Sequence, residues 1–334
     1  MIVSLIKKIF HRAYLPKIDK EDSIVEAALF DINNDRQWIY VRGECRNHPI
    51  LLFLHPGPGF VATGLASGYQ TLLERHFIVI HWHMRGAGKS YSKAVSKKDM
   101  SLDTLVDDAI ALSQKLIERY QKNDLYIMGH SFGSLIALKA IKKKPAIFKH
   151  FISVAQMTHV AEMEKRSFDY VMECATKKGD RKALKSLHQI SRSVDQLTID
   201  GIKKKQGLIH KFGGCAPGFK TIVDLICILI IDPVEHSFTD VIKCIRGLQF
   251  SGSQLFREAC EVNFFEEINK VETPVLMIIG ENDQISNPQL VRSYFGQLIA
   301  PEKCLIELEG DAHFPFLSQP ELFQNKLLDA LKIR

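Results

Sequence analysis

The sequence predicts an α/β fold in which a mostly parallel central sheet is flanked by helices and carries an inserted helical cap. Unbroken apolar runs at 50–54 and 77–80 are typical of strands that are covered on both faces. Such strands alternate with helical patterns along the chain, which indicates a parallel sheet with right-handed crossovers. Between about 157 and 260, in contrast, the pattern is helical and contains no convincing strand. That stretch is the predicted cap.

The predicted elements follow one another in a regular order. Residues 24–30 and 37–41 form a predicted hairpin across turn residues at 33–35. The other predicted strands cover 50–54, 77–80, 125–128, 151–155, 274–279 and 304–308, and the predicted core helices cover 102–120, 132–143 and 320–333. The pattern divides the chain into an N-terminal segment, 1–20, a core formed by 21–156 and 262–334, and a cap, 157–261.

Size and composition are those of an ordinary folded protein. The 334 residues, 46% hydrophobic and 25% charged, suffice for one large or two ordinary domains and exclude collagen-like and disordered classes. The net charge of +6 is a mild basic excess, and the basic runs at 142–144 and 203–205 lack interleaved aromatic residues. We therefore predict no nucleic-acid partner. No apolar run approaches the roughly 18 residues of a membrane-spanning helix.

The cysteines predict a cellular compartment. The seven cysteines are odd in number and show no close Cys-x-x-Cys pair of the zinc-binding kind, so we predict reduced thiols in a cytoplasmic protein.

The N-terminal segment has a pattern of its own. Within 1–17, apolar residues at helical spacing stand beside Lys7, Lys8, His11 and Arg12. One interpretation is a basic amphipathic helix on a membrane surface, which would make the protein peripheral to a membrane. The alternative is a helix packed on the body or a frayed end.

The sharpest motif is Gly-His-Ser-Phe-Gly at 129–133, between a predicted strand and a predicted helix. In this context strand and helix nearly touch, so glycines are needed on both sides of the serine. The hydroxyl of Ser131 projects alone at the helix N-terminus, where the backbone N–H of Phe132 and the helix dipole can stabilise an oxyanion. The motif predicts that Ser131 is a nucleophile, against the alternative of a plain structural turn.

A serine nucleophile needs a base and an acid that orients it. Asp283 follows the predicted strand at 274–279, and His313 follows the one at 304–308. Open parallel sheets place their sites at the carboxyl ends of the strands, so these residues can converge with Ser131. Glu281 and Asp311 are nearby alternatives for the acid.

The segment His-Pro-Gly-Pro-Gly at 55–59 directly follows another predicted strand. Its glycines allow backbone amides to approach a substrate oxygen closely. Pro56 and Pro58 have no N–H, so Gly57 is the natural donor in the first part of this loop. The alternative interpretation is a rigid turn that binds no ligand.

With these motifs in this order, the chain resembles the α/β-hydrolase superfamily, and within it the proline iminopeptidase-like (prolyl aminopeptidase-like) branch of serine hydrolases. The resemblance covers roughly 24–334 and rests on HPGPG at 55–59, RGAGKS at 85–90, GHSFGS at 129–134, GENDQISNP at 280–288 and GDAHFPF at 310–316. It implies Ser131 as nucleophile, His313 as base and Asp283 as the acid that orients it. The amides of Gly57 and Phe132 would form the oxyanion hole, and no metal or organic cofactor is implied.

The chain departs from the family pattern at two places. Pro56 replaces the second residue of the usual His-Gly-Gly-Pro-Gly, but the donating amide belongs to the next residue, so the hole should survive. His83 and Met84 replace the usual Asp-Gln before Arg-Gly, which puts the geometry of a loop beside the site in question. The cap carboxylates with which aminopeptidases of this branch hold a free amine have no clear match. Candidates are Glu162, Glu164 and Glu173, for which a solvated helix face is an equal explanation.

Three functions are consistent with these residues. The first is an aminopeptidase that releases N-terminal residues from short peptides. The second is a carboxylesterase or lipase-like hydrolase of small or acyl esters. The third is a catalytically silent binding protein with a hydrolase fold, against which the full triad argues. The substrate, a small molecule or short peptide, and the oligomeric state are not fixed by the sequence.

Overall fold

A computed structural model describes residues 15–190, 196, 198–216 and 238–333. Its eight strands alternate with helices along most of the chain. The strands are β1 (Ile24–Ile32), β2 (Asp35–Gly43), β3 (Ile50–Leu54), β4 (Ile78–Trp82), β5 (Leu125–His130), β6 (Phe148–Val154), β7 (Val275–Gly280) and β8 (Lys303–Leu308). Most of the predicted N-terminal helix, 1–14, lies outside the described residues.

One sheet contains all eight strands, in the order β1-β2-β4-β3-β5-β6-β7-β8. β1 pairs with β2, and β2 with β4, in antiparallel fashion, whereas every later pair is parallel. The predicted leading hairpin and parallel sheet are therefore confirmed. The architecture is that of the α/β-hydrolase fold.

Helices flank this sheet and occupy the interval between β6 and β7. The core helices are α1 (Ala66–Tyr69), α2 (Leu102–Arg119) and α3 (Phe132–Lys143), followed after the interval by α8 (Phe264–Glu267), α9 (Pro288–Gln297), α10 (Pro315–Ser318) and α11 (Pro320–Ala330). The described helices of the interval are α4 (Val160–Lys177), α5 (Arg181–Leu187), α6 (Ile199–Lys211) and α7 (Phe238–Glu261). They lie where the cap is predicted, although the exact division into domains stays a prediction.

The core lies on both faces of the sheet, because the central strands are buried on both sides. Leu52 and Leu54 of β3 belong to one apolar cluster, together with residues of α2 and α3. Leu51 and Phe53 of the same strand belong to a second cluster, which also includes residues of α4, α6 and α11. This double burial explains the unbroken apolar runs in the sequence. Within the described ranges, no helix is long and apolar enough to cross a membrane.

Candidate active site

Ser131 occupies a strained turn between β5 and α3. Its φ of 52° and ψ of −119° are a conformation that residues other than glycine rarely adopt. A Cβ atom on Gly129 would lie 2.4 Å from the carbonyl oxygen of Gly133, and one on Gly133 would lie 2.2 Å from that of Leu54. Only glycine fits at these two positions, as the motif predicted. The turn leaves Ser131 at the carboxyl edge of the sheet, 6% exposed.

Asp283 and His313 follow β7 and β8, which are neighbours in the sheet. His313 Nδ1 donates to Asp283 Oδ2 at 2.9 Å, and the Asp283 side chain is fully buried. The same carboxylate accepts hydrogen bonds from the N–H groups of Ile285, at 2.8 Å, and Ser286, at 3.1 Å, and from the Ser286 hydroxyl. The structure therefore brings the predicted acid and base into direct contact.

The electrostatics keep Asp283 ionised. Burial by itself raises the pKa of Asp283, but the charge of His313 and the hydrogen bonds from His313, Ser286 and Ile285 outweigh it and leave the pKa below its ordinary value. An ionised carboxylate at Nδ1 fixes the histidine tautomer that leaves Nε2 free to act as a base.

His130 connects the base to the nucleophile turn. Its Nε2 donates to the backbone carbonyl of His313 at 2.8 Å, and the centroids of the two rings lie 5.1 Å apart. Burial lowers the pKa of His130 to about 3, so the ring stays neutral. His130 immediately precedes Ser131, and this bond therefore holds the segments that carry Ser131 and His313 close together. No motif in the sequence marks this contact of His130.

The hydroxyl of Ser131 contacts a sulfur atom. Its Oγ lies 4.0 Å from Sδ of Met157, a weak acceptor. Met157 follows β6 and is fixed through its N–H, which donates to the Ser134 hydroxyl at 3.0 Å. A role of Ser131 as nucleophile would require its hydroxyl to exchange this partner for His313, and catalytic hydrogen bonds often tighten only when substrate binds. No motif in the sequence marks Met157.

The two alternative acids occupy other environments. Glu281 is exposed and accepts a 3.4 Å hydrogen bond from the N–H of Gly310. Asp311 is buried and accepts from Gln319 at 3.1 Å, and burial raises its pKa to about 6. Neither carboxylate bonds to His313, so the geometry favours Asp283 as the orienting acid.

The predicted oxyanion donors, Gly57 and Phe132, follow two strands that are neighbours in the sheet, β3 and β5. Phe132 is the first residue of α3, and the first N–H groups of a helix have no partner inside it. Within the described residues, neither this amide nor that of Gly57 donates to another backbone group. A Cβ on Gly57 would lie 2.3 Å from the nitrogen of Gly59, so the loop requires glycine there. The predicted role as oxyanion donors requires that both amides be free of such backbone bonds.

His83, which with Met84 replaces the family's Asp-Gln pair, makes several contacts that stabilise its loop. Its Nδ1 accepts from the N–H of Lys89 at 3.0 Å, and its Nε2 therefore donates to the hydroxyl of Thr63, 3.1 Å away. Its ring also packs on Trp38, with centroids 4.4 Å apart. The N–H of Met84 donates to Nε2 of His55 at 3.3 Å, which connects this loop to the loop that carries Gly57. His83 and Met84 therefore hold the loop in place without the family's Asp-Gln pair.

The three candidate amine-binding glutamates are already paired. They form ion pairs with a neighbouring cation on the cap helices: Glu162 with Arg166 at 2.9 Å, Glu164 with Lys205, and Glu173 with Lys177 at 2.5 Å. These pairs favour the solvated or structural interpretation of the three residues. In the described part of the chain, no cluster of His, Cys, Asp or Glu is suited to hold a metal ion.

A polar cleft of about 460 Å³ lies beside the loop that carries Asp283. Its walls come from α4 and from residues 281–292, and its lining includes neither Ser131 nor His313. The two arginines on these walls form ion pairs, Arg292 with Glu307 and Arg166 with Glu162. We assign no part of the reaction to this cleft.

The chain is similar in sequence to known proteins. A family model described as serine aminopeptidase S33 matches residues 50–210. The chain is 29% identical over 316 residues to the Bacillus subtilis (strain 168) protein named "Probable aminopeptidase YbaC", covering 93% of this chain and 97% of that protein.

Solved structures show the same fold. Proline iminopeptidase from Mycobacterium smegmatis aligns with a TM-score of 0.63 at 14% identity, covering 92% of this chain and 98% of that one. A proline iminopeptidase-related protein from Thermus thermophilus aligns with a TM-score of 0.57 at 20% identity, with the same coverage.

Proposed function

We propose that this chain, an α/β-hydrolase of the proline iminopeptidase-like branch, is a serine hydrolase that cleaves an amide or ester bond through an acyl-enzyme. The observation that carries the proposal is the buried Asp283–His313 pair, held by His130 next to the strained Ser131 turn. A nucleophile, a base and an orienting acid in this arrangement are the requirements of acyl transfer.

The reaction follows from the roles of these groups. Nε2 of His313 removes the proton of Ser131 while Oγ attacks the substrate carbonyl carbon. The amides of Gly57 and Phe132 stabilise the oxyanion of the tetrahedral intermediate. His313 then protonates the leaving group, and a water molecule, deprotonated in turn by His313, releases the acyl group and restores the hydroxyl.

The substrate class that we propose first is a short peptide, cleaved by removal of its N-terminal residue. The S33 serine aminopeptidase match and the likeness to a protein named as an aminopeptidase support this choice. An aminopeptidase must also recognise a free amine, and the ion pairs of the three cap glutamates favour a recognition group elsewhere.

The same ion pairs favour a second candidate, a carboxylesterase of small or acyl esters. An ester substrate needs no carboxylate to hold an amine, and the group that contacts Ser131 Oγ is the apolar side chain of Met157. A silent binding protein is the third candidate, and it requires none of the hydrogen bonds that hold Asp283 and His313.

The decisive experiment compares hydrolysis of a prolyl anilide with that of a short-chain nitrophenyl ester. Ser131→Ala serves as the blank and is expected to lower kcat by roughly 10⁴ to 10⁶. Ser113→Ala is the matched control, because this buried hydroxyl donates to the carbonyl of Ala109 within α2. Its activity should stay within about twofold of the original.

Each outcome selects one candidate. Anilide cleavage that disappears when the amine is acetylated supports the aminopeptidase. Ester cleavage alone supports the esterase. If Ser131→Ala keeps the full rate on both substrates, or if a fluorophosphonate fails to label Ser131, the proposed serine hydrolase is wrong.

A further inference from the structure

His313 is held at three points, and one of them belongs to the predicted cap. Its side chain bonds to Asp283, and its carbonyl accepts from His130, both in the core. Its backbone N–H donates to the carbonyl of Cys215 at 2.8 Å. Cys215 lies after α6, in the interval between β6 and β7, so the cap takes part in placing the base.

The residue before Cys215 holds the loop of the acid in the same manner. The carbonyl of Gly214 accepts from the N–H of Gln284 at 2.9 Å. Gln284 directly follows Asp283. Two consecutive carbonyls, those of Gly214 and Cys215, therefore accept hydrogen bonds from the two loops that carry the acid and the base. We call these two residues the cap clamp.

The cap clamp is itself fixed to the end of α6. The N–H of Gly214 donates to the carbonyl of Ile209 at 2.9 Å, and that of Gly213 donates to the carbonyl of His210 at 3.0 Å. Cys215 is buried in the apolar cluster that also contains Phe314, the neighbour of His313. A displacement of α6 must therefore move the two carbonyls or break their hydrogen bonds.

The packing leaves no space at the first position of the clamp. A Cβ atom on Gly214 would lie 2.6 Å from both Cβ and Cγ of Gln284 and 3.1 Å from Cγ2 of Ile209. A side chain at 214 therefore pushes the clamp away from the Asp283 loop. On α6, by contrast, a Cβ atom on Gly207 would meet no atom within 4 Å.

We infer that the cap clamp is a positioning element for His313, so that the placement of the cap sets the geometry of the base as well as covering the substrate. The inference rests on the proposed serine hydrolase. When the clamp is in place, the Asp283–His313 pair is held from both its core and its cap side. When α6 shifts, the N–H groups of His313 and Gln284 lose their partners and the pair loosens.

The test is Gly214→Ala, with Gly207→Ala as the matched control. Because small displacements of catalytic groups cost up to about 100-fold in rate, we expect Gly214→Ala to lower kcat by roughly 10- to 100-fold with a smaller change in KM. Gly207→Ala should keep kcat within about twofold, since its side chain enters open space. Circular dichroism and thermal unfolding verify that both variants are folded.

Two further measurements separate positioning from general damage. The proton NMR resonance of the His313 Nδ1–H, bonded to Asp283, should shift in Gly214→Ala and stay unchanged in Gly207→Ala. Adding Gln284→Gly removes both atoms that the new Cβ meets at 2.6 Å, and it should restore part of the lost kcat.

Different results would contradict the positioning role of the cap clamp and the proposed function. A folded Gly214→Ala variant with unchanged kcat and an unchanged histidine resonance overturns the clamp, even if Ser131→Ala is inactive. A loss of kcat without any shift of that resonance also overturns it. If Ser131→Ala keeps full activity, the proposed function itself fails.

Discussion

The sheet-edge loops and the cap helices use charged residues in different ways. In the loops, Asp283 is fully buried and its carboxylate is aimed at His313. On the cap helices, three glutamates pair with neighbouring lysines or arginines: the Glu173–Lys177 pair is exposed, the Glu162–Arg166 pair is half-buried, and the Glu164–Lys205 pair is largely buried. A buried carboxylate against a histidine supports proton transfer, whereas exposed pairs contribute little to stability or chemistry. The comparison favours the core as the place of the proposed chemistry and a structural or solvated role for these three cap glutamates.

The largest expected effect is a loss of kcat when Asp283, in the core, is substituted. We expect Asp283→Asn to lower kcat by about 10⁴, because an amide cannot hold the histidine tautomer that a carboxylate holds. Glu281→Gln is the matched control, since this exposed carboxylate lies two residues away and makes no bond to His313. Steady-state kinetics on the preferred substrate distinguish them. A large loss in Glu281→Gln with little in Asp283→Asn would reverse the assignment of the acid.

A smaller effect is expected on stability, from a buried ion pair of the cap helices. Lys205 is 2% exposed and pairs with Glu164, so Lys205→Ala leaves a largely buried carboxylate without its partner. We expect a loss of about 3 kcal/mol in the free energy of unfolding, measured by chemical denaturation. Lys177→Ala removes an exposed pair with Glu173 and should leave stability unchanged. Equal effects of the two substitutions would contradict the distinction between buried and exposed pairs.

The smallest effect should be a pH dependence at Asp311. Burial raises its pKa in the folded protein to about 6, from 3.8 for the free side chain. The folded state therefore binds this proton more tightly than the unfolded state does. Below pH 3.8 the carboxyl is protonated in both states and does not change the free energy of unfolding. Above about pH 6 it is ionised in both states, and burying the charged group lowers the free energy of unfolding by the full amount. We expect Asp311→Asn to stabilise the protein at pH 7.5 relative to its effect at pH 4. Denaturation at pH 4 and at pH 7.5 measures the change in the free energy of unfolding. Asp107→Asn, at an exposed carboxylate, is the control. An equal change at both values would contradict the prediction.

Most of the fold could be predicted from the sequence because its signals are local. Strands buried on both faces require continuous apolar runs, and the run at 50–54 coincides with β3. Boundaries were less accurate: the predicted strand at 77–80 is β4, Ile78–Trp82, and the predicted terminal helix ends at Ala330. The ends of elements depend on contacts with other elements, which a local pattern does not contain.

The candidate site likewise has features that the sequence predicts and features that it does not. Ser131, Asp283 and His313 could be proposed as site residues from the sequence because each follows a strand in a motif with defined backbone requirements, such as the glycines at 129 and 133. The contacts that hold these three residues could not be predicted from the sequence. His130 bonds to a residue 183 positions away, and Met157 reaches Ser131 from beyond the neighbouring strand β6. Neither side chain has a sequence pattern that specifies its partner.

The sequence by itself determined the sheet, the order of the loops and the candidate reactive groups, because tight turns and two-sided burial limit which residues fit. Only the tertiary structure decided how those groups are held. The carbonyls of Gly214 and Cys215 meet the loops of Asp283 and His313 through backbone atoms, which every residue carries. The pairing of Glu164 with Lys205 likewise depends on how α4 and α6 pack. Long-range contacts of this kind arise from the arrangement of whole elements, and no short stretch of sequence encodes them.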